Sequence, residues 1–402
     1  MDVKLPDDVA DGTGGRIVLV VMDGLGGLPD AETGLTELET AHTPNLDRVA
    51  ERAALGLHIP VEPGITPGSG PGHLALFGYD PVRYNIGRGV LSALGVGFPL
   101  EEGDIAVRLN FSTVDAAGRV TDRRAGRPKD EENRRLVEKL RSGVGAPEGV
   151  RVFFEPEKEH RAVLVLRGPG LVAELGDTDP QETGVRPLRV AAKTEAARAT
   201  AGMLQEVLDA AAAVLSDEPV ANMLLARGID AYARYPSFAD RYRLRGHAIA
   251  RYPMYLGVAR LVGMETSPIA KADEGSVDTL ARRWGDYDFH FIHFKAMDAR
   301  GEDGDFAAKA KAIEAIDALI PRIEALGPDV LVVTGDHSTP SRLRAHSWHP
   351  VPTLIASAWT RPVEGARFGE RACQRGELGV FAAVHLMTLA LAHAGRLAKF
   401  GA

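Results

Sequence analysis

Short runs of branched apolar residues recur along the chain, and each ends at a polar or glycine-containing turn. Such runs are typical of strands buried on both faces of a parallel sheet. We predict strands at Ile17 to Met22, Phe289 to Phe294, Val330 to Thr334 and Thr353 to Ser357. Because helical patterns lie between these runs, their order favours an α/β fold with a mostly parallel sheet flanked by helices.

Three helical patterns stand out in the two ends of the chain. The threonine–proline pair at 43–44 predicts a helix that runs to about Ala54. Residues 305–326 carry apolar side chains at helical spacing, and Pro321 is predicted to kink or divide that helix. The apolar stretch Leu378 to Ala394 is predicted to form a buried helix.

The middle of the chain has a different pattern. It holds two strand candidates, Arg151 to Phe154 and Ala162 to Leu166, followed by a long alanine-rich helix from about Ala191 to Leu215. We therefore predict an inserted α+β cap domain at 104–218. Residues 16–103 and 219–402 would form the core domain, and residues 1–15 an N-terminal tail.

Composition limits the classes of protein that fit. The chain has 402 residues, 45% hydrophobic and 25% charged, which suffices for a large core and two domains. A net charge of −8 argues against nucleic acid or an anionic membrane as partner. The single cysteine, Cys373, excludes an intrachain disulfide and a multi-cysteine zinc site. No apolar signal region or long apolar span is seen, so we expect a cytoplasmic protein.

Three of the predicted strands lead into aspartates: Asp23, Asp298 and Asp336, the last followed by His337. The carboxyl ends of parallel strands meet at one edge of a sheet, where ligands bind. Carboxylates gathered there would repel one another unless cations lie between them. One aspartate after a strand is usually turn chemistry, but the shared position of all three predicts a divalent-metal site. His346 is a further candidate ligand.

The segment 65–73, Ile-Thr-Pro-Gly-Ser-Gly-Pro-Gly-His, holds the candidate nucleophile. Ser69 would lie at the N-terminus of the helix that follows, where backbone N–H groups and the helix dipole favour phosphate. Metal coordination would favour the serine alkoxide. The alternative is a flexible loop in which Ser69 merely caps the helix.

Seven segments then occur in order along the chain: DGLGG (23–27), TPNLD (43–47), TPGSGP (66–71), LFGYDP (76–81), DRRAGR (122–127), TGDHSTP (334–340) and PVP (350–352). Together they resemble the archaeal-type, 2,3-bisphosphoglycerate-independent phosphoglycerate mutases of the alkaline phosphatase superfamily. The resemblance implies an alkaline phosphatase-like core with an inserted domain. It also implies interconversion of 3-phosphoglycerate and 2-phosphoglycerate through a phosphoserine intermediate at a two-metal site.

The same resemblance assigns roles to residues. Ser69 would be the nucleophile and, with Asp23, Asp336 and His337, would bind one metal ion. The second ion would be bound by Asp298 and His346, with Glu302 as a further candidate ligand; the alternative is that the ligand at position 302 is lost. Manganese is the predicted metal, with magnesium, zinc or cobalt as alternatives.

Five residues match substrate-facing positions of the family: Asn110, Asp122, Arg123, Arg124 and Arg127. Arg108 and Lys271, in segments that depart from the family pattern, are two further candidates for substrate binding. Guanidinium groups suit this role because they bind carboxylate and phosphate through two parallel hydrogen bonds. A basic run on a solvated face is the alternative for the arginines.

The chain also departs from the family pattern near the site. Glu302 stands where the family has a metal-binding histidine, and His349 is a candidate to compensate. The segment Arg108 to Ser112 and the segment Ile269 to Val277 also differ from the usual family pattern. These changes bear on the substrate more than on the fold.

Two other functions are therefore kept open. One is a related metal-dependent phosphohydrolase or phosphonate-ester hydrolase that acts on a different small phosphorylated metabolite. The other is a metal-free binding protein that has kept only the fold. Retention of the serine together with the aspartate and histidine ligands argues against the latter.

Overall fold

The computed structural model describes Ala10, residues 12–84 and residues 86–401. Most of the predicted tail, 1–15, lies outside the described residues. The chain divides into two compact units, one formed by Met1–Asn85 and Pro236–Ala402 and the other by Ile86–Tyr235. We call them the core unit and the inserted unit. The inserted unit is wider than the predicted range 104–218.

The strands are β1 Ile17–Met22, β2 Ala53–Ile59, β3 Ile105–Val114, β4 Val120–Asp122, β5 Arg151–Pro156, β6 Arg161–Arg167, β7 Met223–Ala231, β8 Gly246–Ile249, β9 Glu265–Thr266, β10 Phe289–Phe294, β11 Val330–Thr334, β12 Val351–Ala356 and β13 Gly379–Ala382. The helices are α1 Glu37–Thr40, α2 Pro44–Ala50, α3 Ser69–Leu76, α4 Arg88–Gly95, α5 Asp130–Gly143, α6 Arg198–Leu215, α7 Phe238–Tyr242, α8 Pro253–Leu261, α9 Asp273–Arg283, α10 Ala296–Asp303, α11 Phe306–Asp317, α12 Ile320–Glu324, α13 Glu370–Arg375 and α14 Leu386–His393. Among the described residues, no helix combines the length and apolar character needed to cross a bilayer.

The core unit is built on an eight-stranded sheet with the order β13-β2-β12-β11-β1-β10-β8-β9. Its pairs are parallel except β11–β12 and β12–β2. Strands β1, β10 and β11 begin and end at the predicted residues, and every residue in them is buried. The sequence therefore predicted the α/β class and the central strands correctly, because a strand covered on both faces is apolar throughout.

Two helix predictions in the core unit were wrong in extent. The helix that starts at Pro44 ends at Ala50, since Ala53–Ile59 forms a strand paired antiparallel with β12. The stretch 378–394 is not one helix: Gly379–Ala382 pairs parallel with β2, and only Leu386–His393 is α-helical. In both cases a strand partner far along the chain overrides the local helical pattern. The predicted break at Pro321 is confirmed, because α11 ends at Asp317 and Pro321 lies in the first turn of α12.

The inserted unit contains a five-stranded antiparallel sheet in which β3 pairs with β4, β6 and β7. Helices α5 and α6 contribute apolar side chains to its core, among them Leu136, Leu140 and Leu204. Strand β7 belongs here and not to the core unit, because it pairs with β3 from Ile105 to Ser112. Helix α6 starts at Arg198 and not near residue 191, since Ala192 bridges to Leu175 instead.

Candidate metal centre and active site

Three neighbouring strands bring the predicted aspartates together. Strand β1 lies between β10 and β11, with Met22 opposite Phe294 and Val21 opposite Thr334. Asp23 follows β1 directly, Asp336 comes two residues after β11, and Asp298 lies in the first turn of α10 after β10. All three carboxylates are at most 1% exposed. Parallel pairing thus places three acids at one sheet edge, as the sequence predicted.

His337 lies at the centre of the first ligand group. Its Nε2 atom is 3.3 Å from Asp23 Oδ1, 3.3 Å from Asp336 Oδ2 and 3.3 Å from Ser69 Oγ. A tetrahedral ion with ligand bonds of about 2.0–2.1 Å has ligand–ligand edges of about 3.3 Å. The spacing of these donor atoms therefore fits a single divalent ion.

The hydrogen bonding of the carboxylates supports the same fit. Asp23 Oδ1 and Asp336 Oδ2 are buried, and their only close polar neighbours among the contacts of the described residues are imidazoles in poor hydrogen-bond geometry. His337 Nε2 lies 3.3 Å from each oxygen, and His73 Nδ1 lies 3.1 Å from Asp336 Oδ2. Buried carboxylate oxygens normally accept hydrogen bonds. Their unused lone pairs are the donors that a divalent cation requires.

Ser69 is the first residue of α3, and Gly68 precedes it in an extended conformation. The helix packs closely on the loop that carries Asp336, because a Cβ at Gly72 would lie 2.4 Å from the Asp336 carbonyl oxygen. Glycine at 72 thus permits the approach that places Ser69 beside His337. The serine hydroxyl also lies at a helix N-terminus, where negative charge is stabilised.

A second ligand group consists of Asp298, His337 and His346, whose donor atoms lie within 4.8 Å of one another. His346 Nε2 is 3.3 Å from Asp298 Oδ1 and 3.7 Å from Glu302 Oε1. Glu302 lies one helical turn after Asp298 on α10, and its side chain is 57% exposed. Glu302 is therefore at the rim of this group, within reach of it.

His349 does not belong to either ligand group of the described residues. Its Nδ1 atom is 3.1 Å from Ser347 Oγ, and its ring stacks on Trp348. The expectation that it compensates for Glu302 receives no support from this geometry.

Positive charge balances the buried acids. Lys295 Nζ is 3.0 Å from Asp23 Oδ2 and also pairs with Asp298. Burial by itself would raise the pKa of Asp23, but hydrogen bonds from His293 and His337 and the charge of Lys295 hold that pKa well below its usual range.

His346 is drawn towards the protonated state by the same acids. Burial opposes protonation of His346. Its hydrogen bonds to the Asp298 carboxylate and to the Pro67 carbonyl outweigh burial and raise the pKa of His346 to about 9. A metal ion bound by His346 would therefore have to displace a proton.

Several residues at the site were missed by sequence reasoning. Tyr255 donates its hydroxyl to Asp23 Oδ2, and His293 Nε2 lies 3.2 Å from the same oxygen. Their rings stack with centroids 3.7 Å apart. His293 lies in β10 and Lys295 directly follows that strand, a few residues before Asp298. Their closeness in sequence to a predicted ligand is a signal that could have identified them. Tyr255 comes from α8 and has no local signal.

The predicted substrate arginines lie in the inserted unit, and three of them contribute to the electrostatics of His160. The pKa of His160 is lowered to about 4, most of all by burial and then by the charges of four arginines, Arg161, Arg124, Arg108 and Arg127. Four guanidinium groups therefore act on one buried imidazole, which sequence reasoning missed. Such a cluster suits a carboxylate or phosphate.

The loop after β4 holds these arginines in an unusual backbone conformation. Asp122 accepts hydrogen bonds from the backbone N–H of Arg124 at 2.8 Å and of Gly126 at 2.6 Å. Ala125 and Arg127 both have positive φ angles, 46° and 53°. Such angles are costly for residues with a Cβ and concentrate at functional sites.

Three predicted substrate residues have other surroundings. Arg123 forms two hydrogen bonds with buried Asp179, at 2.9 and 2.8 Å, so its guanidinium is already occupied. Asn110 is on β3, 5% exposed, with its side-chain oxygen unpaired among the described residues. Lys271 lies in the core unit, exposed, two residues before α9, and belongs to neither ligand group.

Comparison with known proteins identifies the family of the chain. Residues 50–221 match the family model of the 2,3-bisphosphoglycerate-independent phosphoglycerate mutases. The chain is 53% identical to a probable 2,3-bisphosphoglycerate-independent phosphoglycerate mutase of Thermus thermophilus, over 98% of both chains. It is 50% identical to the protein of that name from Thermotoga maritima, over 96% of both chains.

Solved structures are similar over nearly the whole chain. The PH0037 protein of Pyrococcus horikoshii is 30% identical, with a TM-score of 0.82 over 97% of this chain and 100% of that one. The cofactor-independent phosphoglycerate mutase of Thermoplasma acidophilum is 28% identical, with a TM-score of 0.72 over 95% and 100%. Taken with the sequence matches, these likenesses place the chain in the 2,3-bisphosphoglycerate-independent phosphoglycerate mutase family.

Proposed function

We propose that this enzyme interconverts 3-phosphoglycerate and 2-phosphoglycerate through a phosphoserine intermediate on Ser69. The observation that carries the proposal is the position of Ser69 Oγ, 3.3 Å from His337 Nε2 at the N-terminus of α3. A serine hydroxyl needs activation to attack phosphorus, and a neighbouring divalent-ion site supplies it. The names of the relatives support phosphoglycerate as the substrate.

Two divalent ions would bind here. Asp23, Asp336, His337 and the Ser69 oxygen fit one ion, and Asp298, His346 and Glu302 the other. Bound ions would neutralise the negative charge of the acids and of the transferring phosphoryl group. Two of the three side chains in the second set are carboxylates, which suits manganese or magnesium; zinc and cobalt are alternatives.

The chain's own residues perform the group transfer. Ser69 Oγ loses its proton and forms a bond to the phosphorus, and the bond from phosphorus to the glycerate oxygen breaks. The released glycerate oxygen takes up a proton and becomes a hydroxyl. In the second half the other glycerate hydroxyl loses its proton and attacks the phosphoserine, the bond from phosphorus to Ser69 Oγ breaks, and Ser69 Oγ takes up a proton. The sum is an isomerisation with no net gain or loss of phosphate.

The inserted unit is proposed to bind the glycerate part. Arg108, Arg124 and Arg127 act together on His160, and guanidinium groups of this kind bind a carboxylate through paired hydrogen bonds. Asp122 would orient the loop, and Arg123, fixed by Asp179, would support it. Holding the glycerate between the two transfers allows it to turn without leaving.

One assay separates this function from hydrolysis. Purified protein with manganese and 3-phosphoglycerate is expected to form 2-phosphoglycerate, detected by coupling to enolase. Release of inorganic phosphate without the isomer would favour the related phosphohydrolase or phosphonate-ester hydrolase. Neither product with manganese, magnesium, zinc or cobalt would contradict both.

A further inference from the structure

Lys309 is a completely buried lysine on α11. Its Nζ atom donates to the carbonyl oxygen of Gly26 at 3.0 Å and to that of Thr339 at 2.8 Å. It lies 3.9 Å from Glu37 Oε1. Taking an ammonium group out of water is costly, and well-packed apolar residues often stabilise a core as well as a buried ion pair does. A role in stability alone is therefore a weak explanation of this charge.

The two carbonyls belong to loops that carry ligand residues of the candidate metal centre. Gly26 lies in the turn that follows Asp23, and Thr339 lies two residues after His337. The N–H of Thr339 also contacts the Gly26 carbonyl, at 3.1 Å. One ammonium group thus joins the loop after β1 to the loop after β11.

Thr339 carries the link onward to the ligands. Its hydroxyl donates to Asp298 Oδ1 at 2.7 Å and lies 3.0 Å from His337 Nδ1. The other ring nitrogen of His337 is the one that faces Asp23, Asp336 and Ser69. A hydrogen bond on one imidazole nitrogen sets the tautomer and direction of the other. The position of Thr339 therefore affects a ligand from each group.

The backbone around Thr339 is tightly packed. A Cβ at Gly301 would lie 2.2 Å from the Thr339 carbonyl oxygen, and one at Gly24 would lie 2.6 Å from Thr339 Oγ1. Glycines at these positions allow the loops to meet. An apolar side chain in place of Lys309 would fill the space but leave the Thr339 carbonyl without its Lys309 donor, which buried carbonyls rarely tolerate. The Gly26 carbonyl would keep only the N–H of Thr339.

We propose that Lys309 is a positioning residue for the metal centre, which holds Thr339 so that its hydroxyl orients Asp298 and His337 for metal binding. This inference rests on the metal site of the proposed function. It differs from a purely structural role, in which Lys309 would only neutralise the buried carboxylate of Glu37.

Manganese titration by calorimetry on the purified full-length protein tests the proposal. Lys309→Met is expected to weaken manganese binding by about 10-fold, the lower end of the effect of losing a direct partner of a ligand, because Lys309 acts through Thr339. Lys311→Met is the matched control, because Lys311 lies on the same helix with its side chain 76% exposed. It should bind manganese as the unaltered protein does. A folded Lys309→Met protein with unchanged affinity would overturn the proposal.

A double variant distinguishes positioning from neutralisation. Lys309→Met with Glu37→Gln removes both charges and keeps an acceptor for the Ser341 N–H, which donates to Glu37 at 2.8 Å. If Lys309 positions Thr339, this double variant should bind manganese as weakly as Lys309→Met alone. Recovery of normal affinity would show that Lys309 only balances Glu37.

A second pair of variants applies if Lys309→Met does not fold. Thr339→Val removes the hydroxyl link and should lower manganese affinity, whereas Thr339→Ser keeps the hydroxyl and should restore it. Equal affinities for the two would overturn the proposal. Calorimetry requires no turnover, so an unaltered protein that binds manganese without isomerising phosphoglycerate would contradict only the proposed reaction. An unaltered protein that binds no manganese would overturn both.

Discussion

Lys295 Nζ lies 3.0 Å from Asp23 Oδ2, and the same ammonium group pairs with Asp298. One lysine therefore bridges acids that follow two adjacent strands, β1 and β10. Its side chain is 35% exposed, whereas both carboxylates are buried. The positive charge of Lys295 offsets the repulsion between the two carboxylates, which are buried and cannot be solvated by water.

Replacing Lys295 by methionine should therefore destabilise the metal-free protein. Removing one partner of a buried pair costs several kcal/mol, and the partial exposure of Lys295 reduces the expected loss to about 1–3 kcal/mol. Added manganese should reduce the difference in the free energy of unfolding between the variant and the unaltered protein, because a bound cation replaces the missing charge. Urea unfolding with chelator and with manganese measures both. An equal loss in the two conditions would contradict the bridging role.

Ser69→Ala should lower kcat by at least about 1000-fold, because it removes the atom to which the phosphoryl group is transferred. Intact-mass analysis after mixing with 3-phosphoglycerate should reveal a phosphorylated form in the unaltered protein and none in the variant. Ser142→Ala serves as control, since Ser142 is exposed on α5 and its hydroxyl donates to the Glu138 carbonyl of the same helix. Full activity in Ser69→Ala would refute the nucleophile.

Glu302→His should shift metal preference from manganese towards zinc, because imidazole is a softer ligand than carboxylate. Competition between the two ions, read by metal analysis after dialysis, measures the shift. Asp303→Ala is the control, as Asp303 is the next residue on α10 and pairs with Arg300 instead. An unchanged ratio of zinc to manganese in Glu302→His would mean that residue 302 does not bind the ion.

Asp122→Ala should raise the KM for 3-phosphoglycerate by about 10-fold with a smaller change in kcat, because a loop that presents binding groups loses its fixed geometry. Asp115→Ala is a matched control: Asp115 accepts hydrogen bonds from Ala117 and Arg119 N–H in a similar turn. Steady-state kinetics of both variants give the comparison. A similar rise in KM for the two would argue against a specific role of the 122–127 loop.

Acid should destabilise the inserted unit through His160. Its pKa in the folded protein is about 4, whereas an unfolded histidine has a pKa of about 6.5. Between these values the unfolded chain binds more protons, so stability falls as the pH falls from about 6.5 to about 4. His160→Gln should lose less thermal stability over this range than the unaltered protein. His42→Gln, at an exposed position, should follow the unaltered protein.

Some residues of the candidate site could be predicted from the sequence, and others could not. Asp23, Asp336 and His337 could be identified because each lies within three residues of the end of a strand that the apolar pattern predicts. Ser69 could be placed because glycine and proline mark its turn. Tyr255 and Lys309 could not, since each reaches the site from a helix whose own pattern only indicates a buried face.

The sequence by itself determined the central parallel strands and the acidic residues at their ends, because strand periodicity and the residues that follow a strand are local properties of the chain. Only the tertiary structure decided that Ala53–Ile59 and Gly379–Ala382 are strands, since each depends on a partner several hundred residues away. It also decided which charges offset the buried acids. Lys295 and His293 contact Asp23, and Lys309 contacts the loops beside it, through distances between separate elements that no local pattern encodes.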